Sequence, residues 1–389
     1  MIKTPFPLLK LRGKELLPII QGGMGVGVSA HRLAGTVAKE GAIGTIASID
    51  LRVHHPDLME RTHRTKDRQL IDNANLEALD REIKAARAIA PQGTIAVNVM
   101  KAVDRHPEMV RQSCESGADA IIMGAGLPFD LPDLVGEYKD RVALIPILSE
   151  ERGVRAVLKR WMRKGVLPDA IVIEHPRYAG GHLGAPKPED ITNPKFDFKR
   201  VLAEIYTVFK ELEIPNIPLL PAGGINSFAK IKEMFAMGAS GVQIGTPFAV
   251  TEEGDAHPNF KKVLLEAKPE DIVTFMSTAG LPCRAVLTPW LKKYLEREEK
   301  VRARATPDKA SCAVWFECLT QCGLKDGNPA AGQFCIDTQL EAAVHGNVDK
   351  GLFFRGSESL PFGDQIRSVH DLLVMLLTGQ DPRLGAATA

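Results

Sequence analysis

The chain has 389 residues, of which 44% are hydrophobic and 25% are charged, which is enough to bury a full core in a globular protein. Its 49 Lys and Arg residues balance 48 Asp and Glu residues without a long basic block, which argues against nucleic acid or an anionic membrane as a partner. The stretch MIKTPFPLLKLRGKELLPII lacks the continuous apolar core of a secretory signal, and no run of about 18 apolar residues occurs, so we expect a cytoplasmic protein without a membrane span.

Eight short apolar runs alternate with helical stretches, a pattern typical of βα units around a parallel sheet. The predicted strands are 18–21, 42–47, 95–99, 120–123, 143–148, 170–173, 217–220 and 241–244. Similar lead-ins, SGADAIIMGAG, VLPDAIVIEHP and MGASGVQIGTP, precede or contain three of them, which indicates a ring of equivalent units. Eight units over about 250 residues favour a (β/α)8 TIM barrel over a doubly wound sheet.

Glycine-rich segments follow five of the predicted strands. They are QGGMGVG after the first strand, GAG after the fourth, AGGHLG just past the sixth, AGGINS after the seventh and GTPF after the eighth. Barrel enzymes place their chemistry in the loops at the carboxyl ends of the strands. We therefore expect these glycines to crowd one rim of the barrel.

The AGGINS segment, residues 222–227, has the features of a phosphate site. Two glycines between a strand and a helix point unobstructed N–H groups and a helix N-terminus at one spot. Gly245 and Thr246 in the next loop add amides and a hydroxyl, and barrels often bind phosphate with the loops after strands 7 and 8. Either loop alone could be a tight turn, but the pair favours phosphate.

Two further features of this rim suit a flat ring. Gly22 and Gly23 permit close approach of the backbone to a ligand, and Met24 supplies a soft, adaptable surface, although a simple turn is the alternative. Asn98 ends the apolar strand TIAVNV, where a polar side chain needs a hydrogen-bond partner. A cofactor atom or a structural partner would serve equally well.

His182 lies in the stretch YAGGHLG, in the loop after the sixth predicted strand. A neutral imidazole can take a proton at physiological pH, and Gly180 and Gly181 would let it lie over a bound ring. The alternative is a loop histidine in solvent, but the shared rim favours a functional role. Three other histidines lack such a setting and are predicted to be structural: His54, His55 and His175.

Six motifs in order resemble the nitronate monooxygenase family, formerly called 2-nitropropane dioxygenases, over about residues 15–285. They are PIIQGGMG, VNV, AGGHLG, LLPAGGI, GVQIGTPF and STAGLPCRAV. The family consists of FMN-dependent barrels, and its superfamily includes enoyl-acyl-carrier-protein reductase II and NAD(P)H:quinone reductases. The resemblance implies an FMN-dependent oxidoreductase that oxidises alkyl nitronates with O2. The alternative is an NAD(P)H-dependent FMN reductase of enoyl thioesters or quinones.

The resemblance also implies roles for individual residues. His182 matches the family's catalytic histidine, which removes an α-proton from a neutral nitroalkane or orients the anion. Ser149 and Glu150 stand where several relatives carry a lysine or another cofactor-binding residue, so flavin contacts there depart from the family. The cofactor-binding residues that the resemblance implies are Gly22, Gly23, Met24, Asn98, Gly181, Gly223, Gly224, Gln243, Gly245 and Thr246.

The pattern changes near residue 286, so we predict an FMN-binding barrel over 1–285 and a helical, Cys-containing extension over 286–389. The extension would act as a lid, a clasp over the barrel or a contact in a homo-oligomer. LKKYLEREEKVRARA, at 291–305, predicts one exposed charged helix, and IRSVHDLLVMLLTG predicts an amphipathic helix that ends at Gly379. The charged helix leaves open a minor alternative, a non-catalytic component of a larger complex.

Four of the six cysteines fall in the extension with the spacing C-x5-C-x3-C-x12-C. Cys318 and Cys322 would share a helical face, and four thiolates can bind zinc or an iron–sulfur cluster. The spacing matches no common metal motif, and cysteine is also an ordinary buried residue. Structural thiols are therefore favoured, with a metal or iron–sulfur site as the alternative at Cys312, Cys318, Cys322 and Cys335.

Overall fold

A computed structural model describes residues 2–62, 65–308, 312 and 318–383. Its strands are β1 (Leu9–Leu11), β2 (Lys14–Leu16), β3 (Ile19–Gln21), β4 (Ile43–Ala47), β5 (Thr94–Met100), β6 (Ala120–Gly124), β7 (Ala143–Leu148), β8 (Ile171–Glu174), β9 (Gly181–His182), β10 (Leu219–Ala222), β11 (Val242–Ile244), β12 (Ile272–Met276) and β13 (Pro282–Val286). Its α-helices are α1 (His31–Lys39), α2 (Pro56–Thr62), α3 (Arg68–Ile89), α4 (His106–Glu115), α5 (Leu131–Val135), α6 (Glu151–Met162), α7 (Phe198–Glu211), α8 (Phe228–Ala236), α9 (Thr246–Ala249), α10 (Pro258–Glu266), α11 (Pro289–Leu295), α12 (Glu298–Ala303), α13 (Gly323–Asp326), α14 (Ile336–Val344) and α15 (Val369–Thr378).

Eight parallel strands close into a barrel in the order β10-β11-β3-β4-β5-β6-β7-β8. This closed ring confirms the predicted (β/α)8 barrel. The strands are apolar because parallel strands that lie between helices are buried on both faces. The largest shift from prediction is at β10, which begins two residues later than expected. Its position follows the register with β8, in which Leu219 pairs with Ile171 and Ala222 with Glu174.

The barrel interior is filled by small and branched apolar side chains, including Ile20, Ile43, Ile122 and Ile145. The hairpin β1–β2, which the sequence did not predict, adds leucines to the same cluster. Its Lys14 and Arg12 pair with acidic residues that precede β6 and β8, so the hairpin covers the amino-terminal end of the barrel. The opposite end is left for the functional loops.

The segment from 291 to 305 is not the single exposed helix that its charge predicted. It forms α11 and α12, separated near Arg297, and Leu291 and Tyr294 of α11 are buried. These two side chains pack in an apolar cluster with Phe334. This packing buries one face of α11, although most of the neighbouring residues are charged. The last predicted helix is confirmed as α15, and Gly379 ends it with a φ of +74°.

The extension packs on the barrel and forms part of one cavity wall. Helix α15 contacts α1 and α8 within a shared apolar cluster, and Phe354 forms a β-bridge with Ala285. A division of the chain at residue 285 stays a prediction. Over the described residues, no helix combines the length and apolar character needed to cross a bilayer.

The expected helical face shared by Cys318 and Cys322 is wrong. Cys318 lies outside any helix and Cys322 caps the short α13, because the chain turns between them. Burial raises the pKa of Cys318 well above its usual range and also raises that of Cys335, which favours neutral thiols. Within the described ranges no group of three or more His, Cys, Asp or Glu side chains could hold a metal ion. The metal alternative therefore has no support.

Candidate active site

A cavity of about 630 Å³ opens at the carboxyl ends of the barrel strands. Every residue that the sequence singled out for the site lines it, and the five glycine-rich segments meet there. These residues are Gly22, Gly23, Met24, Asn98, Gly181, His182, Gly223, Gly224, Gln243, Gly245 and Thr246. The structure thus brings the candidate residues together, while their individual roles stay predictions.

The end of the cavity next to β10 and β11 has the geometry of an anion site. Gly223 and Gly224 have φ values of +100° and +72°, which favour glycine. A Cβ atom on Gly224 would lie 2.8 Å from Cβ of Tyr178, so a side chain has neither the conformation nor the space. The Oγ1 atom of Thr246, at the start of α9, accepts a hydrogen bond of 3.1 Å from the backbone N–H of Gly356.

Residues of the extension complete this end, and the sequence did not predict them. Gly356 and Glu358 line the cavity beside the two glycine loops. Lys230 Nζ donates to the backbone oxygen of Gly224 at 2.9 Å and to Oε2 of Glu358 at 2.7 Å. This ammonium group places a positive charge near the proposed phosphate position and pairs with the carboxylate of Glu358. No local motif marks the pair, because Lys230 and Glu358 are 128 positions apart.

The loop after β3 is held by Gln21, which is fully buried. Its side-chain nitrogen donates to the backbone oxygen of Gly22 at 2.5 Å, and its oxygen accepts from the backbone N–H of Thr45 at 2.8 Å. A Cβ atom on Gly23 would clash with Asn98, so bare backbone and the amide lie against each other. Asn98 also donates to the backbone oxygen of Ile122 at 3.3 Å, so it has a structural partner as well as a place in the wall.

Gln243 supplies an independent test of whether a polar ligand fits. Its side chain is 8% exposed, and its Oε1 atom has no hydrogen-bond partner among the described residues. A buried carbonyl oxygen without a donor costs about 1–3 kcal/mol. Because Gln243 lines the cavity between the anion end and the Gly22 loop, a ligand with N–H or O–H donors would satisfy it. The residues present therefore fit FMN.

His182 is held by β-sheet pairing, whereas the sequence predicted a loop of bare backbone. Strand β9 pairs with β13, so that His182 lies opposite Cys283. Nε2 of His182 is 3.0 Å from Oγ of Ser277, and this oxygen accepts a hydrogen bond from the backbone N–H of Ala279 at 3.2 Å. Buried Arg284 donates to the backbone oxygens of Pro176 and Ala179 and so fixes the approach to β9.

Two buried titratable groups face the cavity with shifted pKa values. Burial lowers the pKa of His182 to about 4, so the imidazole is neutral at physiological pH. Burial raises the pKa of Glu174, the last residue of β8, to about 7. Sequence reasoning missed Glu174, although a carboxylate directly after the apolar run AIVI at a strand end is a recognisable signal.

Fold and site together define a (β/α)8 barrel enzyme, with an anion-binding end, a polar ring site and a fixed imidazole in one cavity. The model of the nitronate monooxygenase family matches residues 10–379. The chain therefore belongs to the nitronate monooxygenase family, which is a family of FMN-dependent oxidoreductases.

Individual proteins agree with this assignment. The "Probable nitronate monooxygenase" of Bacillus subtilis (strain 168) is 26% identical over 296 residues, which are 71% of this chain and 78% of that protein. FabK from Thermotoga maritima has 22% identity and a TM-score of 0.65, covering 95% of this chain and 94% of its own. Nitroalkane oxidase from Streptomyces ansochromogenes has 18% identity and a TM-score of 0.61, covering 98% and 99%. Because both identities are below 25%, these two structures show only that this chain has the same fold as FabK and nitroalkane oxidase.

Proposed function

We propose that this protein is an FMN-dependent oxidoreductase that oxidises alkyl nitronates with O2. The observation that carries the proposal is the placement of His182 in the same cavity wall as the loops with anion-binding geometry. FMN, when bound, supplies the two-electron chemistry that links the nitronate to O2. A cytoplasmic location and a homo-oligomeric state stay predictions from the sequence.

The residues of this chain would hold FMN at three places. The backbone amides of Gly223, Gly224 and Gly245 and the hydroxyl of Thr246 would hold the phosphate, with Lys230 adding positive charge. Gln243 would accept a hydrogen bond from the cofactor through the oxygen that has no partner among the described residues. The remaining cofactor contacts proposed are Gly22, Gly23, Met24, Asn98 and Gly181.

His182 would act by orienting the substrate anion more than by removing a proton. A base whose pKa is about 4 is poorly matched to a weakly acidic carbon, whereas a nitronate has already lost that proton. The hydroxyl of Ser277 would donate to Nε2 and fix the ring, so that the N–H at Nδ1 would donate to the substrate anion. Apolar neighbours, including the buried Leu183 and the half-buried ring of Phe354, would limit the access of water to that contact.

Anaerobic reduction of the flavin tests the proposal. FMN-loaded protein is mixed with propionate 3-nitronate or with NADH in the absence of O2, and the flavin absorbance is followed. Rapid bleaching by the nitronate, with O2 restoring the colour, is the expected result. Rapid bleaching by NADH with none by the nitronate would favour the alternative, an NAD(P)H-dependent reductase of enoyl thioesters or quinones.

A further inference from the structure

Asp337, at the start of α14, is a carboxyl group with no role in the proposed chemistry. Its side chain is 2% exposed, yet it lines the cavity. Neither Oδ1 nor Oδ2 has an N–H donor among the described residues, and the neighbouring Asp50 carboxyl group can satisfy Asp337 only through one shared proton. Since buried carboxyl oxygens are normally satisfied by donors, this orphaned pair points to a ligand that brings its own donors.

The charges around Asp337 show which kind of ligand would suit it. Asp50 approaches within hydrogen-bond range, and Glu341 of α14 and Arg52 are its other principal charged neighbours. The guanidinium of Arg52 donates from Nε to Oδ1 of Asp50 at 2.7 Å and from Nη1 to Oγ1 of Thr62 at 3.0 Å. Three carboxyl groups therefore surround one guanidinium, which is itself directed at Asp50. Among the described residues, this cluster therefore has more carboxyl groups than cationic groups.

The position of the cluster separates it from the proposed phosphate site. Asp50 and Arg52 follow β4, whereas the glycine loops of the anion end follow β10 and β11. The wall beside Asp337 is apolar on the extension side, where Ile336 and Leu340 line the cavity. A ligand with an alkyl portion and a terminal donor group would match this wall.

We propose that Asp337 forms a binding site for the protonated amine of an alkyl substrate. An ammonium group would donate to the ionised carboxylate of Asp337 and replace the proton that Asp337 shares with Asp50. A metal ion is a poorer match, because no three potential ligands among the described residues converge on one point. The inference rests on the proposed function in one respect: the amine is taken to belong to the same molecule as the nitronate that is oxidised in this cavity.

Binding of an amine would also release a proton. Burial and the Asp50 carboxylate raise the pKa of Asp337 well above its usual range, so this carboxyl group holds a proton until a cation binds beside it. The groups facing it are Asp50, Arg52, Glu341 and, more weakly, the buried thiols of Cys318 and Cys335. An ammonium ion favours the ionised carboxylate, so up to one proton leaves per molecule bound.

Calorimetric titration of the FMN-loaded protein with n-hexylammonium and with 1-hexanol tests this site without any turnover. The ammonium compound is expected to bind at least tenfold more tightly than the alcohol, with proton release detected as a dependence of the heat on the buffer. Asp337→Asn should abolish the preference and the proton release. The exposed Asp349→Asn, on the same extension, should change neither.

Several outcomes would overturn the proposal. They are equal binding of the two probes by the unmodified protein, an undiminished preference in Asp337→Asn, and loss of FMN from that variant, which would assign the carboxyl to the cofactor. If Asp337→Asn does not fold, Asp337→Ser takes its place, and the comparison of probes on the unmodified protein decides independently. Failure to oxidise nitronates alongside a clear ammonium preference would overturn the proposed function and leave this site standing.

Discussion

Nε2 of His182 lies 3.0 Å from Oγ of Ser277, although 95 positions separate the two residues in the chain. Ser277 is fully buried and contacts the imidazole through its hydroxyl, so we assign it as a positioning residue. The contact between His182 and Ser277 depends on the pairing of β9 with β13, because Ser277 lies in the turn that precedes β13. The orientation of His182 is therefore set by a segment that follows the barrel strands.

Ser277→Ala tests this positioning. Loss of one hydrogen bond worth about 1 kcal/mol should lower kcat/KM for the nitronate about five- to tenfold and change the pH–rate profile, with FMN content unchanged. Thr278→Val is the matched control, because that hydroxyl bonds to the backbone oxygens of Gly332 and Phe334 and does not touch His182. Equal effects of the two variants on the pH profile would show a general loosening of the segment.

His182→Ala should keep FMN bound and slow nitronate oxidation by about a hundredfold or more, the size expected for loss of a group that acts on the substrate. FMN content, measured by absorbance, and steady-state kinetics check the prediction. His370→Ala, at an exposed position, serves as the control. Unchanged turnover with an unchanged pH–rate profile would remove His182 from the mechanism.

Gly224→Ala should weaken FMN binding at least tenfold. The added Cβ would meet Tyr178 at 2.8 Å, and the φ of +72° disfavours any L side chain. Gly165→Ala is a closely matched control, because Gly165 has a φ of +67° and open space around its Cβ position away from the cavity. Both variants should lose about 1 kcal/mol of stability from backbone strain. Equal FMN affinity in the two variants would contradict an anion site at this loop.

The proposed chemistry also predicts how stability depends on pH. Burial raises the pKa of Glu174 from 4.5 to about 7, so its stabilising effect is complete below about pH 4.5 and is lost as the pH rises through 7. Glu174→Gln should therefore stabilise the flavin-free protein at pH 8, on the order of 1 kcal/mol after allowance for solvent in the cavity, and much less at pH 5. The pKa of His182 is shifted downward, but His182 is present in both the unmodified protein and Glu174→Gln, so its effect on stability cancels in the comparison.

Thermal unfolding at the two pH values checks this prediction, with the exposed Glu189→Gln as the control. A gain for Glu174→Gln that is the same at pH 5 and pH 8 would show that the carboxyl is not held in the folded protein with a raised pKa.

The barrel was predictable from the sequence because each strand is a short, mainly apolar run and several loops that line the cavity carry their own glycines. Asn98 was found as a polar residue in an apolar strand, whereas Gln243 was implied only by the family resemblance. Ser277 and Asp337 could not be found in this way. Their importance arises when distant segments dock on the rim, and neither lies in a local pattern that distinguishes it from an ordinary polar residue.

The charged stretch 291–305 also shows that a local pattern does not decide how a segment packs. Its composition predicted an exposed helix, but two side chains within it are buried against Phe334, and the packing decides the outcome. The cysteines were read as a set because they are close in sequence. In the structure, a turn separates Cys318 from Cys322, and spacing alone did not reveal it.

The visible absorption spectrum of the purified protein, with quantification of the released cofactor, tests the central claim most directly. We expect the bands of oxidised flavin and one FMN per chain, with recovery of the bands when FMN is added to protein stripped of it. A colourless protein that fails to take up FMN would show that the cavity is not a flavin site.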